Sequence, residues 1–578
     1  MARVFRAVAP VLLLSVAAFG SACSPEPRTE SGGAAAGSPA RGGEIAGSVR
    51  SDPAHYNRYF EATAATELVT LLTQARLVRV NRATDALEPG LAESWTTSDG
   101  LTYTVKLRPG VRFSDGAPFT SADVTFSVKA AFEAPGSVIG SYLLVAGQPV
   151  TVAAPDPQTV TVTFPQPFAP AMRILDNLPI LPRHKLQAAF DAGKMREAWT
   201  PSQPVSEVAG LGPFVLTEHV SGQRLVFTRN PHYWRRDEGG LQLPYLDRLT
   251  IHIIPDQQAE ALRLESGAID LMNNADIQPS DYSRFKQLGA AGRIQLIDGG
   301  VGLDPNLLWF NLTPRSARRT PWMHRKEFRQ ALSHATDRQA IADTVYLGAA
   351  VPIYGPVTPR NATWYTPSSP SYPHDVGKAR ELLASIGLRD GNGDGILEDR
   401  AGRAVRLSIL VQQGHAIRER VASMLQEQFR AAGIGIDLVG LDGRAIFDRW
   451  TKGDYDSIFH AFQVSATDPA MTPDFWLSSS PQHVWNPSQP VPATSWERRM
   501  DELMLKQASA TSLEERKRLF AEVQRIFGEE LPALYFVAPK VTLATSLRVH
   551  NLQPAPQIPQ LLWAADTIAV SPSAQRAR

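Results

Sequence analysis

The residues best suited to chemistry lie in the stretch DGNGDGILEDRAG, residues 390–402. Asp390, Asn392 and Asp394 occupy alternating positions there, and Ile396 is placed to add a carbonyl oxygen. This spacing is that of the first ligands of an EF-hand loop, in which carboxylate and carbonyl oxygens surround a calcium ion. The pattern therefore indicates a candidate site for weakly bound, structural Ca²⁺.

The same stretch lacks the bidentate carboxylate that completes an EF-hand site. Ala401 stands at the twelfth position, so Glu398 or Asp399 would have to bend in to supply the missing oxygens. The competing interpretation is a turn rich in Gly, Asn and Asp that joins a helix at 382–386 to a strand at 405–411. We favour the turn, keep weak structural Ca²⁺ as the alternative, and expect no other cofactor.

Motifs of the common enzyme classes are missing from the sequence. It contains no His-Glu-x-x-His, no Gly-x-Ser-x-Gly and no glycine-rich dinucleotide fingerprint. The Gly-Lys pairs at 193–194 and 377–378 are followed by Met195 and Ala379, so neither places a hydroxyl beside a phosphate for Mg²⁺. We therefore expect a protein that is not an enzyme.

The total charge is nearly balanced. The 578 residues contain 58 Lys and Arg against 57 Asp and Glu. A protein without a net basic field does not attract polyanions over long range. Nucleic acid is therefore not an expected partner.

The N-terminus has the pattern of an export signal. Two arginines precede an apolar run at 7–19, and small residues lead to Cys23, the only cysteine. Positive charge, apolar core and small residues predict a signal peptide over residues 1–22. The end of this segment resembles the lipobox of bacterial lipoproteins, in which the cysteine becomes lipidated, although Gly20 stands where leucine is usual.

The alternative is ordinary cleavage after Ala22, which would leave a soluble protein with a free thiol. Residues 23–42 are rich in Ser, Gly, Pro and Ala, which predicts a flexible tether behind a lipidated Cys23. Beyond Cys23 no apolar run reaches the ~18 residues that span a bilayer. We therefore expect an exported body that is anchored to a membrane without crossing it.

The residues after the tether have the patterns of short strands and helices, which would position any binding site. Apolar and polar residues alternate over 101–107, which predicts a half-buried strand, and Pro109–Gly110 predicts a hairpin turn into a strand at 111–113. Thr120 and Asp123 have the spacing of a capping box, so a helix should begin directly after Thr120.

Further along, the pattern predicts an α/β class. Residues 251–254, 257–265 and 269–271 have the pattern of a strand, a helix and a second strand, as in a βαβ unit. Apolar residues at helical spacing over 421–432 predict another helix, followed by a strand at 434–441.

Residues 89–129 closely resemble the signature region of the bacterial extracellular solute-binding proteins of family 5, which includes the dipeptide- and oligopeptide-binding proteins of ABC importers. The resemblance continues in the segments 210–234, 243–256, 262–272 and 328–350. It therefore covers essentially the whole chain after the tether.

The family fold implied by this resemblance is a periplasmic-binding-protein-like clamp of two α/β lobes joined by a hinge. Lobe I would comprise residues 43–305, with an inserted subdomain at about 61–200, and residues 531–578, which return to it. Lobe II would comprise residues 306–530. A ligand that bridges two such lobes stabilises the closed form.

The function implied is that of the substrate-binding subunit of an ABC-type importer. Such a protein captures a peptide-like or other small polar solute between its lobes and delivers it to membrane permease subunits that work with cytoplasmic ATPases. The expected location is the periplasm or the outer face of the cytoplasmic membrane, and the expected state is a monomer. A secreted hydrolase and a ligand sensor that presents its closed form to a receptor are the alternatives.

The resemblance also suggests cleft residues. Peptide-binding members carry an aspartate four residues before a proline, where it pairs with the ligand's ammonium; counting back from Pro469 places Ser465 there. Asp468 is the acid nearest to this position, and on a turn its side chain would cap the backbone instead of binding the ligand. Phe462 stands where the family usually has a tryptophan. A serine cannot neutralise a buried ammonium, which favours other solutes. Trp485 is a candidate aromatic floor, with packing inside a lobe as its alternative.

Overall fold

Short strands and helices alternate along the computed structural model, which describes residues 41–272, 277, 280–303, 305–461 and 468–571. This mixture is the predicted α/β class. None of the helices within these ranges is long and apolar enough to cross a membrane.

The strands are β1 Glu44–Val49, β2 Val78–Val80, β3 Leu87–Pro89, β4 Ala92–Thr96, β5 Thr102–Leu107, β6 Leu144–Val145, β7 Gln148–Pro149, β8 Thr151–Asp156, β9 Thr159–Thr163, β10 Phe214–Val220, β11 Arg224–Arg229, β12 Arg248–Ile253, β13 Gln295–Val301, β14 Asn306–Phe310, β15 Ala350–Pro352, β16 Arg406–Gln412, β17 Gly435–Leu441, β18 Ser457–Ala461, β19 Ala533–Tyr535, β20 Val537–Thr545, β21 Val549–His550 and β22 Ala569–Val570.

The α-helices are α1 Ala64–Thr73, α2 Ser121–Glu133, α3 Ile139–Tyr142, α4 Arg183–Asp191, α5 Gln257–Glu265, α6 Tyr282–Ala290, α7 Pro314–Arg319, α8 Lys326–Ala335, α9 Arg338–Thr344, α10 Val376–Ser385, α11 Ala416–Ala431, α12 Gly443–Thr451, α13 Pro473–Trp476, α14 Ser495–Ser509 and α15 Leu513–Glu530. Short 3₁₀ segments lie at Ala171–Asn177, Met195–Glu197, Val205–Glu207, Pro321–His324, Pro469–Met471 and Leu562–Thr567.

The main sheet of the first lobe has the order β1-β12-β11-β10. Strand β12 pairs in parallel with β1 and antiparallel with β11. Its residues Leu249, Ile251 and Ile253 are buried, whereas the residues between them are partly or fully exposed. The predicted strand at this position is confirmed, and its period of two directs one face into the core.

The predicted βαβ unit is only half correct. Helix α5 is present, with the Asp256 side chain accepting a hydrogen bond from the amide of Ala259. Residues 269–271 are not a parallel strand, because only an isolated antiparallel bridge joins Leu271 to Thr545. The Asp270 amide donates to the Ala46 carbonyl at 2.7 Å, and the Asp270 carbonyl accepts from the Ser546 amide at 2.7 Å. The buried carboxylate of Asp270 also binds the Ala46 amide and Arg548, so single backbone bonds and side-chain bonds hold this segment without a continuous strand ladder.

The inserted region contains a sheet of order β4-β5-β9-β8. The predicted strand at 101–107 appears as β5, but the hairpin to residues 111–113 is wrong. Both edges of β5 are already occupied, by β4 and β9. Residues 111–113 make only the single bridge from Arg112 to Pro118, and their apolar side chains Val111 and Phe113 are buried in the core.

The predicted start of the following helix is confirmed. Helix α2 begins at Ser121, and the backbone amide of Thr120 donates to Asp123 Oδ2 at 2.9 Å. This is the reciprocal half of a capping box, which satisfies an amide that the helix cannot pair internally.

The second lobe is built on a five-stranded sheet of order β17-β16-β18-β14-β19. Strand β16 pairs in parallel with β17 and β18, while β14 pairs antiparallel with β18 and β19. The predicted helix at 421–432 is confirmed as the C-terminal part of α11. It ends before Gly433, whose φ of +92° suits glycine, and β17 follows as predicted.

A third sheet, of order β13-β20-β15, connects the two lobes. The three largest apolar clusters among the described residues are one drawn mainly from 45–271 and 541–568 and two drawn from 307–538. The fold is therefore two-lobed, because each end of the crossing sheet joins a different core.

Asp270 gives a test of how the N- and C-terminal parts of the first lobe are joined. Its carboxylate is 2% exposed, accepts from Arg548 Nη2 at 2.6 Å and Nε at 2.7 Å, and accepts from the Ala46 amide at 2.9 Å. Because Asp270→Ala leaves a guanidinium and an amide without this partner, we expect a loss of about 3–5 kcal/mol in the free energy of unfolding, measured by urea denaturation. Exposed Asp343→Ala, which removes a surface contact to Gln339, is the matched control and should change little. An equal, small effect of both substitutions would contradict this account.

Candidate functional site

The predicted cleft residues Phe462 and Ser465 lie outside the described residues. Strand β18 runs to Ala461, and the described chain resumes at Asp468. The assignment of both side chains to the cleft therefore stays a prediction.

Asp468 is buried and already occupied by an arginine. Its Oδ2 accepts from Arg516 Nη1 at 2.8 Å, and its Oδ1 accepts from Arg516 Nη2. Oδ1 also accepts from the backbone amide of Ala470 at 3.0 Å and so caps the short 3₁₀ turn that follows. These contacts are those of the capping alternative, and they leave Asp468 engaged within its own lobe.

Trp485 is packed inside the second lobe, with none of its side chain exposed. Its Nε1 donates to Glu497 Oε1 at 3.1 Å, and its ring lies 4.0 Å, between centroids, from that of His483. These contacts match the alternative of a packed tryptophan. In this conformation the ring presents no face to a solute.

Glu497 is the centre of a buried polar cluster that orders this part of the lobe. Its oxygens also accept from His483 Nε2 at 3.3 Å, Gln489 Nε2 at 2.8 Å and Thr494 Oγ1 at 2.8 Å. Burial raises the pKa of the Glu497 carboxyl, but these hydrogen bonds outweigh it and hold the pKa below its usual value. The sequence contained a signal for the contact between Thr494 and Glu497, since these residues have the spacing of a capping box.

The calcium candidate forms a closely packed acidic loop. Carboxylate oxygens of Asp390, Asp394 and Glu398 lie within 4.8 Å of one another. Asp390 accepts from the amides of Gly393 at 2.7 Å and Gly395 at 3.0 Å, as expected of a turn that is closed by its own side chains.

Asn392 and Ile396 are the other predicted calcium ligands of the loop at 390–402. Asn392 is exposed and its Oδ1 accepts a hydrogen bond from the Asp394 amide at 2.8 Å, while the Ile396 side chain is buried. Glu398 folds towards the loop, and its Oε2 accepts a hydrogen bond from the Gly391 amide at 2.7 Å. The carboxylate oxygens are suitable ligands for a hard cation such as Ca²⁺, and the hydrogen bonds within the loop are equally those of a turn without a bound ion. Calcium binding here therefore stays a prediction.

A cavity of about 250 Å³ lies where segments of both lobes meet. It is lined by residues 82–85 and 556–557 from the first lobe, by Leu303, and by residues 360–363 from the second. Arg82 and Arg360 bring positive charge to it, and Asp85 brings a carboxylate. Sequence patterns did not single these residues out, because they come from four segments that only folding brings together.

The lobes also touch directly near Asp468. The backbone amide of Ala169 donates to the carbonyl of Ala508 at 2.7 Å. Ala470, from the second lobe, is 4% exposed and belongs to the main apolar cluster of the first. The structure therefore has its lobes in contact along this edge.

Comparisons with known proteins agree with this architecture. The model of the bacterial extracellular solute-binding proteins, family 5, matches residues 86–483. The chain is 26% identical over 554 residues to the oligopeptide-binding protein AppA of Bacillus subtilis, covering 92% of this chain and 93% of that protein. It is 25% identical over 509 residues to the periplasmic alpha-galactoside-binding protein of Rhizobium meliloti, covering 83% and 73% respectively.

The fold is that of a solved ABC transporter substrate-binding protein. CtaP from Listeria monocytogenes superimposes with a TM-score of 0.75 at 24% identity, covering 92% of this chain and 99% of that chain. The predicted two-lobed α/β fold is confirmed by this similarity. All three of these proteins are named as binding proteins and none as an enzyme.

Glu497 provides a pH-dependent test of the buried polar cluster. Because Glu497→Ala leaves His483, Trp485 and Gln489 without this acceptor, we expect a loss of at least about 3 kcal/mol at pH 7, measured by urea denaturation. The folded pKa of Glu497 lies below the unfolded value of about 4.3, so its stabilisation is complete above that value and is lost as pH falls through the folded pKa.

The difference between wild type and Glu497→Ala should therefore shrink below pH 4. Glu514→Ala, at an exposed glutamate paired with Lys517, is the control and should have little effect at either pH. A difference that grows on acidification would show that Glu497 is not held ionised in the folded protein.

Proposed function

Because the chain belongs to the bacterial extracellular solute-binding proteins of family 5, we propose that it is the substrate-binding subunit of an ABC-type importer. It captures a solute between its lobes and delivers it to permease subunits that work with cytoplasmic ATPases. The observation that carries this proposal is the cavity of about 250 Å³ whose walls come from both lobes. A solute that touches both walls favours the closed form by its differential affinity.

The proposed lobe boundaries follow those expected from the sequence except at the return to lobe I. Lobe I comprises 43–305 with a subdomain at 61–200, and lobe II comprises 306–530. Residues 531–538, expected to begin the return, pack with lobe II instead: β19 pairs with β14, and Leu531 and Phe536 lie in an apolar cluster of lobe II. We therefore place the return at 539–578, which agrees with a first cluster that draws mainly on 45–271 and 541–568.

The proposed cargo is a peptide-like or other small polar solute. AppA is an oligopeptide-binding protein and the Rhizobium relative an alpha-galactoside-binding protein, so similar chains are named for chemically different solutes. Ser465 in place of an acid disfavours peptides with a free amino terminus, since a hydroxyl cannot neutralise an ammonium group. The engagement of Asp468 by Arg516 supports the same conclusion.

The proposed location is the periplasm or the outer face of the cytoplasmic membrane. A signal peptide at 1–22 would be removed, Cys23 would carry the lipid, and residues 24–42 would act as the tether of a monomer. Two or more acyl chains are needed for stable anchoring, and a bacterial lipoprotein cysteine supplies them.

The two alternative functions, a ligand sensor and a secreted hydrolase, would be recognised by different measurements. A ligand sensor would bind solute equally well but would present the closed form to a receptor, so loss of a neighbouring permease would leave its signalling intact. A secreted hydrolase would turn over peptides or glycosides, whereas the named relatives are binding proteins.

A ligand screen tests the binding function. We expect at least one compound among peptides, oligosaccharides and small polar solutes to raise the melting temperature of residues 43–578. A ligand at 100 times its Kd adds about 2.7 kcal/mol, which differential scanning fluorimetry resolves readily. Strong shifts by peptides with free amino termini, but not by their N-acetylated forms, would contradict the inference drawn from Ser465. Product formation from a hit would favour the hydrolase.

Lipid attachment tests the anchor. In a bacterial host fed a labelled fatty acid, we expect label on the wild-type protein and release into the soluble fraction on Cys23→Ala. Ser21→Ala, two residues earlier, is the matched control and should keep the label. An unlabelled, soluble wild-type protein that begins at residue 23 would establish ordinary cleavage after Ala22.

A further inference from the structure

A second pocket, of about 220 Å³, lies on the second lobe, and none of its described lining residues lines the interlobe cavity. Three arginines and two aspartates line it: Arg319, Arg403, Arg406, Asp399 and Asp456. Among the described lining residues the arginines therefore outnumber the acids by one. The pocket combines a concave shape with an excess of positive charge.

Each aspartate fixes the position of one arginine. Asp456 accepts from Arg319 Nη2 at 2.5 Å and, through its other oxygen, from the backbone amide of Ser408 at 2.9 Å. Asp399 accepts from Arg403 Nε at 2.8 Å and from the Arg403 backbone amide at 3.0 Å. The two aspartate side chains are 14% and 12% exposed, whereas those of Arg319 and Arg403 are 53% and 56% exposed. The acids therefore act as fixed supports, and the guanidinium groups reach towards solvent.

Arg406 is the third cation, and its ion pair is loose. Its Nη2 lies 3.8 Å from Asp437 Oδ1, and the two side chains are 46% and 60% exposed. Exposed ion pairs of this kind contribute little to stability. A bound anion can therefore replace Asp437 as the partner of Arg406 at small cost.

The chain beside the pocket is basic. Residues 315–326, which include the end of helix α7, contain no acid and five exposed basic residues: Arg315, Arg318, Arg319, Arg325 and Lys326. Arg325 and Lys326 have glutamate partners, Glu327 and Glu530. This is a local excess of positive charge in a chain whose total charge is nearly balanced. Positive charge around a concave site raises the local concentration of small anions.

The pocket and the predicted cargo site lie at opposite edges of the second-lobe sheet. Arg406 begins strand β16, and Asp456 directly precedes strand β18, which runs parallel to β16. The predicted cleft residues Phe462 and Ser465 follow the other end of β18, at Ala461. Five residues of strand separate the two edges by roughly 15 Å. A ligand in this pocket would therefore leave the cargo site unoccupied.

We propose that this pocket binds a phosphate group through Arg319, Arg403 and Arg406, as a second site that is additional to cargo binding. A phosphate group presents several oxygen atoms at once, and planar guanidinium groups bind such oxyanions through charge-assisted hydrogen bonds. Free phosphate, a soluble phosphate ester and the headgroup of an anionic lipid share this chemistry. A lipid headgroup in the pocket would hold the second lobe of an anchored protein against the membrane surface.

Calorimetry with inorganic phosphate tests the site. The protein is the chain from residue 23 with Cys23→Ser, so that no lipid adds its own membrane affinity. We expect phosphate to bind at low ionic strength and its Kd to rise with added salt. Arg319→Gln, Arg403→Gln and Arg406→Gln should each raise Kd about fivefold or more, because a charge-assisted hydrogen bond is lost, and the triple variant should give no heat of binding.

Two further variants separate phosphate recognition from general charge and from folding. Arg525→Gln removes an exposed arginine of helix α15 that pairs with Glu529, and it should leave Kd unchanged. Arg406→Lys keeps the charge but loses the planar fork, so it should retain part of the affinity. Thermal unfolding of every variant shows whether it is folded, and Arg406→Gln, which breaks only a loose surface pair, is the variant least able to disturb the fold.

Vesicles distinguish the two sources of the phosphate group. If vesicles of phosphatidylglycerol sediment the protein, vesicles of phosphatidylcholine do not, and the triple variant stays in solution, the ligand is a lipid headgroup. If inorganic phosphate binds and neither kind of vesicle does, the ligand is a soluble phosphate compound. Both results support the site.

Two results would overturn it. If neither inorganic phosphate nor phosphatidylglycerol vesicles bind, or if the triple variant binds them as the wild type does, the inference is wrong. The cargo screen gives an independent measurement, because the arginine variants should keep the wild-type thermal shift with any cargo. Failure of the phosphate site would thus leave the proposed solute-binding function standing, and failure of the cargo screen would leave the phosphate site standing.

Discussion

The two lobes are joined by strands that cross between them, and the rest of the structure depends on this connection. Strand β13 leads out of the first lobe and β20 leads back, and the two pair antiparallel from Gln295 with Thr545 onward. Strand β15 pairs with the other edge of β20. Because the lobes are tied through one narrow sheet, their facing surfaces can separate or approach while each core stays intact.

Ion pairs of buried acids stabilise each lobe. Asp270 pairs with Arg548 in the first lobe, and Asp468 pairs with Arg516 in the second. Such pairs orient segments distant in sequence, since an unpaired charge there would be costly.

Local signals in the sequence predicted local structure well. The capping box at Thr120 and Asp123, and the apolar spacing before Gly433, involve residues within a few positions of one another. The hairpin after β5 failed because β4 and β9 compete for its edges. The predicted strand at 269–271 was wrong because Asp270 makes only single backbone hydrogen bonds, to residues 46 and 546, and its carboxylate binds Arg548. In both cases a deciding partner, β9 or residues 46, 546 and 548, lies far away in the chain.

The sequence by itself determined the α/β class, the family resemblance, the candidate export signal and the acidic loop at 390–402, because each is written in contiguous residues. Tertiary structure decided that Asp468 and Trp485 face inward, since Arg516 and Glu497 reach them from other helices. It also decided that Arg82 and Arg360 share a cavity. Which charges are neutralised depends on distances of a few ångströms between remote segments, and spacing along a chain does not encode those distances.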